Sequence, residues 1–375
     1  MKTPNVLVIG GLVPWHPGAG GGQIIAYKVG EALSKAGHSV DYVAMAREEY
    51  RREVDWGNIV YDHEASALAS SIVDALRSIR SRDLETYDVV HVHAAQETFG
   101  YCLAYALRRL VYSQPRFVMS IYSPRVHAFP RSPGEVITAI SSHGADLICS
   151  LSEFSRSDIS RAYRVPASKI SVMYAGVDSS FLDQGQARDG RKEDPFSLLF
   201  CGRLNGPREQ KGIDVLLKSL PLVVRDHEVV LNIVGTGGRR EQYEAMAEEL
   251  NVSSRVNFLG FVEHDEMPAY YAEADLFVLP SRRESFGLVL AEAMASGLPV
   301  VATTAGAIPE VVEDGVTGTL VQPDDPQALA EAINSLLGDQ ERMRAMGAKG
   351  RERVKKHFTW DKVAERVIEG YHDVL

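Results

Sequence analysis

The chain has 375 residues, 45% of them hydrophobic and 24% charged, with a formal net charge of −10. That length exceeds the roughly 250–300 residues at which one hydrophobic core stops growing, so two domains are expected, each able to fold without a metal or disulfide staple. The acidic balance argues against nucleic acid as the main partner, no run approaches the ~20 apolar residues that cross a bilayer, and the three cysteines, Cys102, Cys149 and Cys201, lack metal-ligand spacing and fit a reducing cytosol, with Cys149 and Cys201 in apolar runs that suit structural thiols.

At the N-terminus the short apolar run Asn5–Gly10 reads as a first buried strand and not as a signal peptide. Strand signals continue at Ser39–Val43, Val89–His93, Arg116–Ile121, Leu147–Ser150 and Ile170–Tyr174, with helical patterns at Gln23–Ala36, Ser66–Ile79 and Thr98–Val111 between them. Residues 179–195 are polar and aperiodic around Asp183–Pro195 and read as a linker. The alternation then restarts. Strands are expected at Ser197–Cys201, Val229–Val234, Val256–Leu259, Leu276–Leu279, Val300–Ala302 and Thr319–Val321. Helices are expected at Gly212–Val224, Arg240–Leu250, Phe286–Ala295, Pro326–Leu337, Gln340–Lys356 and Trp360–His372. This is an α/β pattern of two doubly wound, Rossmann-like domains, 1–178 and 196–357, facing across a cleft, with ligands expected at strand C-terminal ends. Charge is uneven: residues 1–175 carry a net +1 and residues 176–375 a net −11. The arginines of the first half, among them Arg108 and Arg109, read as solvated helix faces or as a surface for an anionic acceptor or a membrane.

The residues suited to chemistry cluster at strand ends. Gly20, Gly21 and Gly22 stand between the first strand and the first helix, where glycines let backbone amides approach an anion; they also read as a plain flexible loop. In the second half Gly202-Arg203 closes one strand, Lys211-Gly212 opens the next helix, and Gly235 follows another strand. Arg203 and Lys211 flank one loop and suit a diphosphate, since each charge-assisted hydrogen bond contributes about 1.5–3 kcal/mol. Glu284 precedes the helix expected at Phe286, whose first amides (Phe286, Gly287, Leu288) would be free for a phosphate. Glu292 lies two turns on, among Leu290, Ala291, Ala293 and Met294, where a carboxylate needs partners such as ribose hydroxyls or a buried cation.

These pieces in this order resemble the retaining glycosyltransferases of family 4, which have the GT-B architecture. The matching segments are Gly202-Arg203 with Lys211-Gly212, Val234–Gly237, Phe258–Val262, Glu284 and Glu292 as an E-x7-E motif, Gly306 with Pro309-Glu310, and Gly315–Gly318. Fainter echoes are Ser152-Glu153, Gly176-Val177-Asp178 and Thr359-Trp360-Asp361. The resemblance implies a hexosyltransferase acting with retention and without a metal or other cofactor, on a UDP- or GDP-sugar donor and an acceptor hydroxyl of a glycan, a lipid-linked sugar or a small molecule. It further implies that Arg203 and Lys211 hold the diphosphate, Glu284 the transferred sugar and Glu292 the ribose, that the segment ending at Phe261 lines the base, and that a last helix, about 359–375, packs back on the first domain. A cytoplasmic protein, peripheral at the inner membrane face, fits this reading.

Three departures stand out. Asn205–Gln210 lengthens the loop between Arg203 and Lys211 and adds Arg208. The usual G-G-x-P-E reads Gly306-Ala307-Ile308-Pro309-Glu310. Where the family commonly has a histidine beside the reacting sugar, this chain has Tyr122, with His127 five residues later. His91 and His93 share one face of their strand and fit core packing or catalysis. An epimerase on the same architecture and a nucleotide-binding subunit without activity are the rival readings; the E-x7-E element disfavours the first.

Overall fold

The structure, a computed structural model, describes residues 3–13, 21–45, 52–62, 84–95, 98–122, 132–183, 195–205 and 210–375. Gly20, His127, Arg208 and the helix expected at Ser66–Ile79 lie outside the described residues. The chain forms two compact units, one of residues 1–176 with 360–375 and one of residues 177–359.

The first unit is built on β1 (Asn5–Ile9), α1 (Gly21–Lys35), β2 (Ser39–Met45), β3 (Asn58–Asp62), β4 (Val89–His93), α2 (Phe99–Arg108), β5 (Arg116–Ser120), α3 (Pro133–Gly144), β6 (Leu147–Ser150), α4 (Glu153–Tyr163) and β7 (Ile170–Val172). Its seven strands run β3-β2-β1-β4-β5-β6-β7, all parallel. Parallel strands are covered on both faces, so the central ones are buried and mostly apolar; Val6 to Ile9 and Val89 to Val92 are all buried, with His91 the polar exception. The order reverses between β1 and β4, the switch point outside which such sheets bind ligands. Ser152 caps α4 by accepting from the Ser155 amide at 3.0 Å, which gives the Ser152-Glu153 pair a local task. The C-terminal helix Trp360–His372 buries Val363, Ala364, Val367, Gly370 and Tyr371, one stripe at helical spacing, and packs against α1 and β6.

The second unit opens with α5 (Ser179–Asp183), followed by β8 (Phe196–Cys201), α6 (Ile213–Val223), β9 (Val229–Val234), α7 (Arg240–Glu249), β10 (Val256–Gly260), α8 (Met267–Glu273), β11 (Leu276–Leu279), α9 (Leu288–Ala295), β12 (Val300–Thr303), α10 (Ile308–Val311), β13 (Gly318–Val321), α11 (Pro326–Leu337) and α12 (Gln340–His357). The strands run β10-β9-β8-β11-β12-β13, again all parallel, with the switch point between β8 and β11. The expected linker is corrected at its start. Residues 179–183 are helical, because Phe181 is buried against Tyr271 and His264 and anchors a stretch whose other residues are mostly polar.

Gly212 joins the two tips of the switch point. It takes φ +70°, and a Cβ there would lie 2.0 Å from the Pro280 carbonyl oxygen at the end of β11. Left-handed strain and a backbone clash each cost about 1–3 kcal/mol. Gly212→Ala is therefore expected to destabilise the second unit by about 2–4 kcal/mol, read as a lowered urea midpoint at unchanged m-value.

Candidate active site

At the β8–β11 switch point the structure brings Lys211 and Glu284 together. Lys211 Nζ donates to Glu284 Oε1 at 2.7 Å, and Ser281 Oγ donates to the same oxygen at 2.8 Å. Glu284 is only 9% exposed. Its main chain is fixed as well: the Ala307 amide donates to its carbonyl at 3.0 Å, and Gly306, at φ +62°, presses so closely that a Cβ would sit 2.2 Å from that oxygen. Both loops hang from Arg282. Its guanidinium grips Asp214 of α6 with two 2.8 Å bonds and Asp324 with one of 2.6 Å, and its amide donates to the Gln210 carbonyl at 2.7 Å. Such a fork fixes distance and angle together, and Asp214 lies three residues after Lys211. Arg203 is exposed at the tip of β8 and holds no hydrogen bond or ion pair with the described residues.

The helix expected from Phe286 starts two residues later. Gly287 caps α9 at φ +90°, a left-handed conformation that cannot continue backwards as helix, and the Phe286 ring is buried against Phe358 at 5.4 Å. The amides of Gly287 and Leu288 have no acceptor among the described residues. Glu292, two turns along α9, is 5% exposed. Its Oε2 accepts from Tyr271 Oη at 3.0 Å, and its Oε1 faces His264 Nδ1 at 4.0 Å. Burial pushes its carboxyl above the usual carboxylate range, and His264 and the Tyr271 hydroxyl only partly oppose this.

Gly202 and Gly235 serve the strand tips more than they offer amides. The Gly202 amide donates to Val234 O at 3.0 Å and the Gly235 amide to Gly260 O at 2.7 Å. What they leave is room, since a Cβ on Gly235 would lie 1.9 Å from the Gly202 carbonyl oxygen. Phe261, just past the edge strand β10, is 64% exposed and presents apolar surface at that strand end. Burial pushes the thiols of Cys102, Cys149 and Cys201 up to about 12, so they stay protonated at neutral pH.

In the first unit Tyr122 has a partner the sequence did not disclose. Its hydroxyl is hydrogen-bonded to His93 Nδ1, and its ring lies 3.1 Å from where a Cβ on Gly22 would stand, at the start of α1. His93 stacks on His91 with ring centroids 4.3 Å apart. His91 is held at both nitrogens, by Tyr371 Oη and Ser120 Oγ at 2.7 Å each, and burial lowers its pKa to about 3. It is a satisfied core histidine. His93 is likewise held neutral, by burial and then by His91, and its Nε2 has no partner among the described residues. The helix start at Gly21 and Gly22 thus meets the Tyr122–His93 pair at the β1–β4 switch point. The arginines fare differently from expectation: Arg109 is bound to Asp146 at 2.7 and 2.6 Å, and Arg108 lies over the Tyr112 ring.

The sequence model of Glycosyl transferases group 1 matches residues 184–353, and that of Glycosyltransferase Family 4 matches residues 19–181. A D-inositol 3-phosphate glycosyltransferase of Thermomonospora curvata is 30% identical over 338 residues, covering 82% of this chain and 76% of the relative. The chain belongs to glycosyltransferase family 4. The N-acetyl-alpha-D-glucosaminyl L-malate synthase of Bacillus anthracis is 26% identical to this glycosyltransferase over 374 residues, 96% of each chain. The crystal structure of Anabaena Alr3699/HepE in complex with UDP is similar to it with a TM-score of 0.77 at 20% identity, over 98% of this chain and 100% of that one. The glycosyltransferase is thus a hexosyltransferase with two parallel, Rossmann-like sheets of the GT-B type. Among its described residues no group of three His, Cys, Asp or Glu side chains is arranged for a metal, and no helix is long and apolar enough to cross a membrane.

Sequence reading missed Arg282, Asp214, Tyr271 and His264, and it named His93 without its bond to Tyr122. Arg282 acts on a residue 68 positions away, and Tyr271 on one 21 positions away, separations that leave no periodic trace. Asp178 was visible as part of Gly176-Val177-Asp178; its partner His264 was not.

Proposed function

We propose that this glycosyltransferase moves a hexose from a nucleotide-diphosphate sugar to an acceptor hydroxyl, with retention at the anomeric carbon and without a metal. The observation that carries the reading is the Lys211–Glu284 pair at the β8–β11 switch point, eight residues ahead of a buried carboxylate on α9. Lys211, Arg203 and the Gly287 and Leu288 amides form a cationic, dipolar seat for the diphosphate, and one such donor is worth about 3–4 kcal/mol when charge develops on a leaving group. Glu284 contacts the sugar and Glu292 the ribose, while Phe261 offers the base an apolar face. The acceptor oxygen attacks C1 on the face the diphosphate leaves: the C1–O bond to phosphate breaks, the C1–O bond to the acceptor forms, and the acceptor proton passes to the departing phosphate oxygen. Tyr122, held by His93 at the β1–β4 switch point, stands in the sequence where the family commonly has a histidine. The UDP bound by the Anabaena protein supports a uridine donor.

The acceptor side is the first unit. Leu107, Leu110, Val111 and Tyr112 are all exposed around the end of α2, which supports contact with a lipid-linked acceptor or a membrane surface. With Arg109 engaged by Asp146, that contact rests on apolar residues more than on arginines.

The test is a thermal-shift screen over UDP- and GDP-sugars, followed by nucleotide release with and without EDTA. A raised melting temperature with one donor class and turnover unchanged by EDTA are the expected results. No shift with any donor, and no release with any acceptor extract, would defeat the reading.

A further inference from the structure

Glu292 is held by one oxygen only. Tyr271 occupies Oε2, while Oε1 accepts no hydrogen bond within the described residues. Facing Oε1 at 4.0 Å is His264 Nδ1, from the loop that joins β10 to α8. That gap is too long for a hydrogen bond and short enough for a ligand to span. The imidazole is set from its other side: Asp178 Oδ2 stands 3.2 Å from Nε2, and the ring tilts against Phe181 with centroids 5.4 Å apart. A hydrogen bond at Nε2 decides which nitrogen carries the proton and turns Nδ1 toward Glu292.

We infer that His264, oriented by Asp178, is a positioning and specificity residue that reads the vicinal diol of the donor ribose together with Glu292. One ribose hydroxyl donates to Glu292 Oε1 and its neighbour meets His264 Nδ1, each at roughly 2.8 Å. The pair rests on the reading of Glu292 as the ribose carboxylate and extends it: a carboxylate alone accepts from either hydroxyl, whereas two acceptors on separate elements require both. A site built to bond a hydroxyl rejects the analogue that lacks it, because its buried polar groups are then left unpaired. The inference therefore predicts discrimination of ribonucleotides from deoxyribonucleotides at a residue far in sequence from the E-x7-E motif. Asp178 lies in the second unit, so all four groups, Asp178, His264, Tyr271 and Glu292, belong to one compact body.

The experiment is isothermal titration with UDP, GDP and their 2′-deoxy and 3′-deoxy counterparts. The wild-type protein should favour whichever ribonucleotide it binds over both deoxy forms by about tenfold or more. His264→Ala should weaken the ribonucleotide about tenfold and the deoxynucleotides less than twofold, collapsing the ratio. In turnover assays it should raise the donor KM while leaving kcat within twofold. His264→Asn, which keeps a polar end toward Glu292, should restore part of the ratio, and it serves in place of the alanine variant if that variant fails to fold. Lys211→Ala should weaken all four ligands alike and keep the ratio. Equal losses for ribo and deoxy ligands in a folded His264 variant would overturn the inference. If Glu292→Gln collapses the ratio and the His264 variants do not, only the role of His264 falls. If Glu292→Gln also leaves the ratio intact, the ribose reading falls with it, and binding of neither UDP nor GDP would defeat both.

Discussion

Lys211→Ala is expected to lower kcat by about 10²–10³-fold, the cost of removing one preorganised donor from a developing anion. The reason lies in where the ammonium is held before any substrate arrives. Its 2.7 Å bond to Glu284 keeps the cation at the junction of two strand tips, and Arg282 fixes both tips through Asp214 and the Gln210 carbonyl. A flexible lysine would lose side-chain entropy on meeting the diphosphate; here much of that ordering is already present. Removing it also leaves the Glu284 carboxylate with Ser281 as its remaining side-chain donor among the described residues, in a mostly buried setting, so a modest loss of stability accompanies the loss of rate. The two effects separate by measurement. Single-turnover transfer reads the chemistry, and the urea midpoint reads the fold. Lys211→Arg keeps the charge but brings a planar fork where a compact ammonium fits, so it should recover only part of the rate. Turnover of Lys211→Ala within threefold of wild type would show that this cation does not meet the leaving group.

How much of this was legible in the sequence depends on range. The strands could be read because a buried parallel strand writes itself as a local apolar run: Val89–His93, Leu147–Ser150, Val229–Val234 and Leu276–Leu279 match the observed strands end to end. The edge strand β3 was missed, since Asn58-Ile-Val-Tyr-Asp62 is short and polar at both ends. The Glu284–Glu292 spacing was visible because it is set by one helix and its approach. The bond from Lys211 to Glu284 was not, for it joins residues 73 apart through the packing of β8 beside β11. Helix starts were misplaced for a conformational reason: only the backbone reveals that Gly287 is left-handed and that α9 begins at Leu288. Ser179–Asp183 was read as linker because a single buried Phe181 decides the fate of five residues. Tyr122 was recognised as a departure, yet its pairing with His93 emerges only from the lateral alignment of β4 and β5.

Glu292→Gln is expected to reduce the stabilisation conferred by nucleotide and at the same time to raise the melting temperature of the free protein. The opposing signs follow from one fact, that burial lifts the Glu292 carboxyl above its ordinary range in the folded state. Between the unfolded and folded pKa values the native state binds the extra proton, so stability falls as pH rises through that window. Above it the folded protein carries an ionised carboxylate that burial disfavours. Glutamine has the same shape, still accepts from Tyr271, and needs no ionisation; a gain of roughly 0.5–1 kcal/mol corresponds to about 1–3 °C for a unit of this size. Donor binding has the opposite requirement. Ribose hydroxyls are donors, and the charged carboxylate is the stronger acceptor, so affinity should decline as pH falls through the raised pKa, at a higher pH than an unperturbed carboxylate near 4–4.5 would give. Melting curves of wild type and Glu292→Gln from pH 5 to 8, with and without nucleotide, measure both limbs. A variant that melts below wild type across that range, or keeps its nucleotide shift, would mean that Glu292 is a structural partner of Tyr271 and not a ribose ligand. The expected outcome makes the carboxylate a site whose cost in the free enzyme is offset only when the donor is bound, which is how binding and stability come to oppose each other at a functional residue.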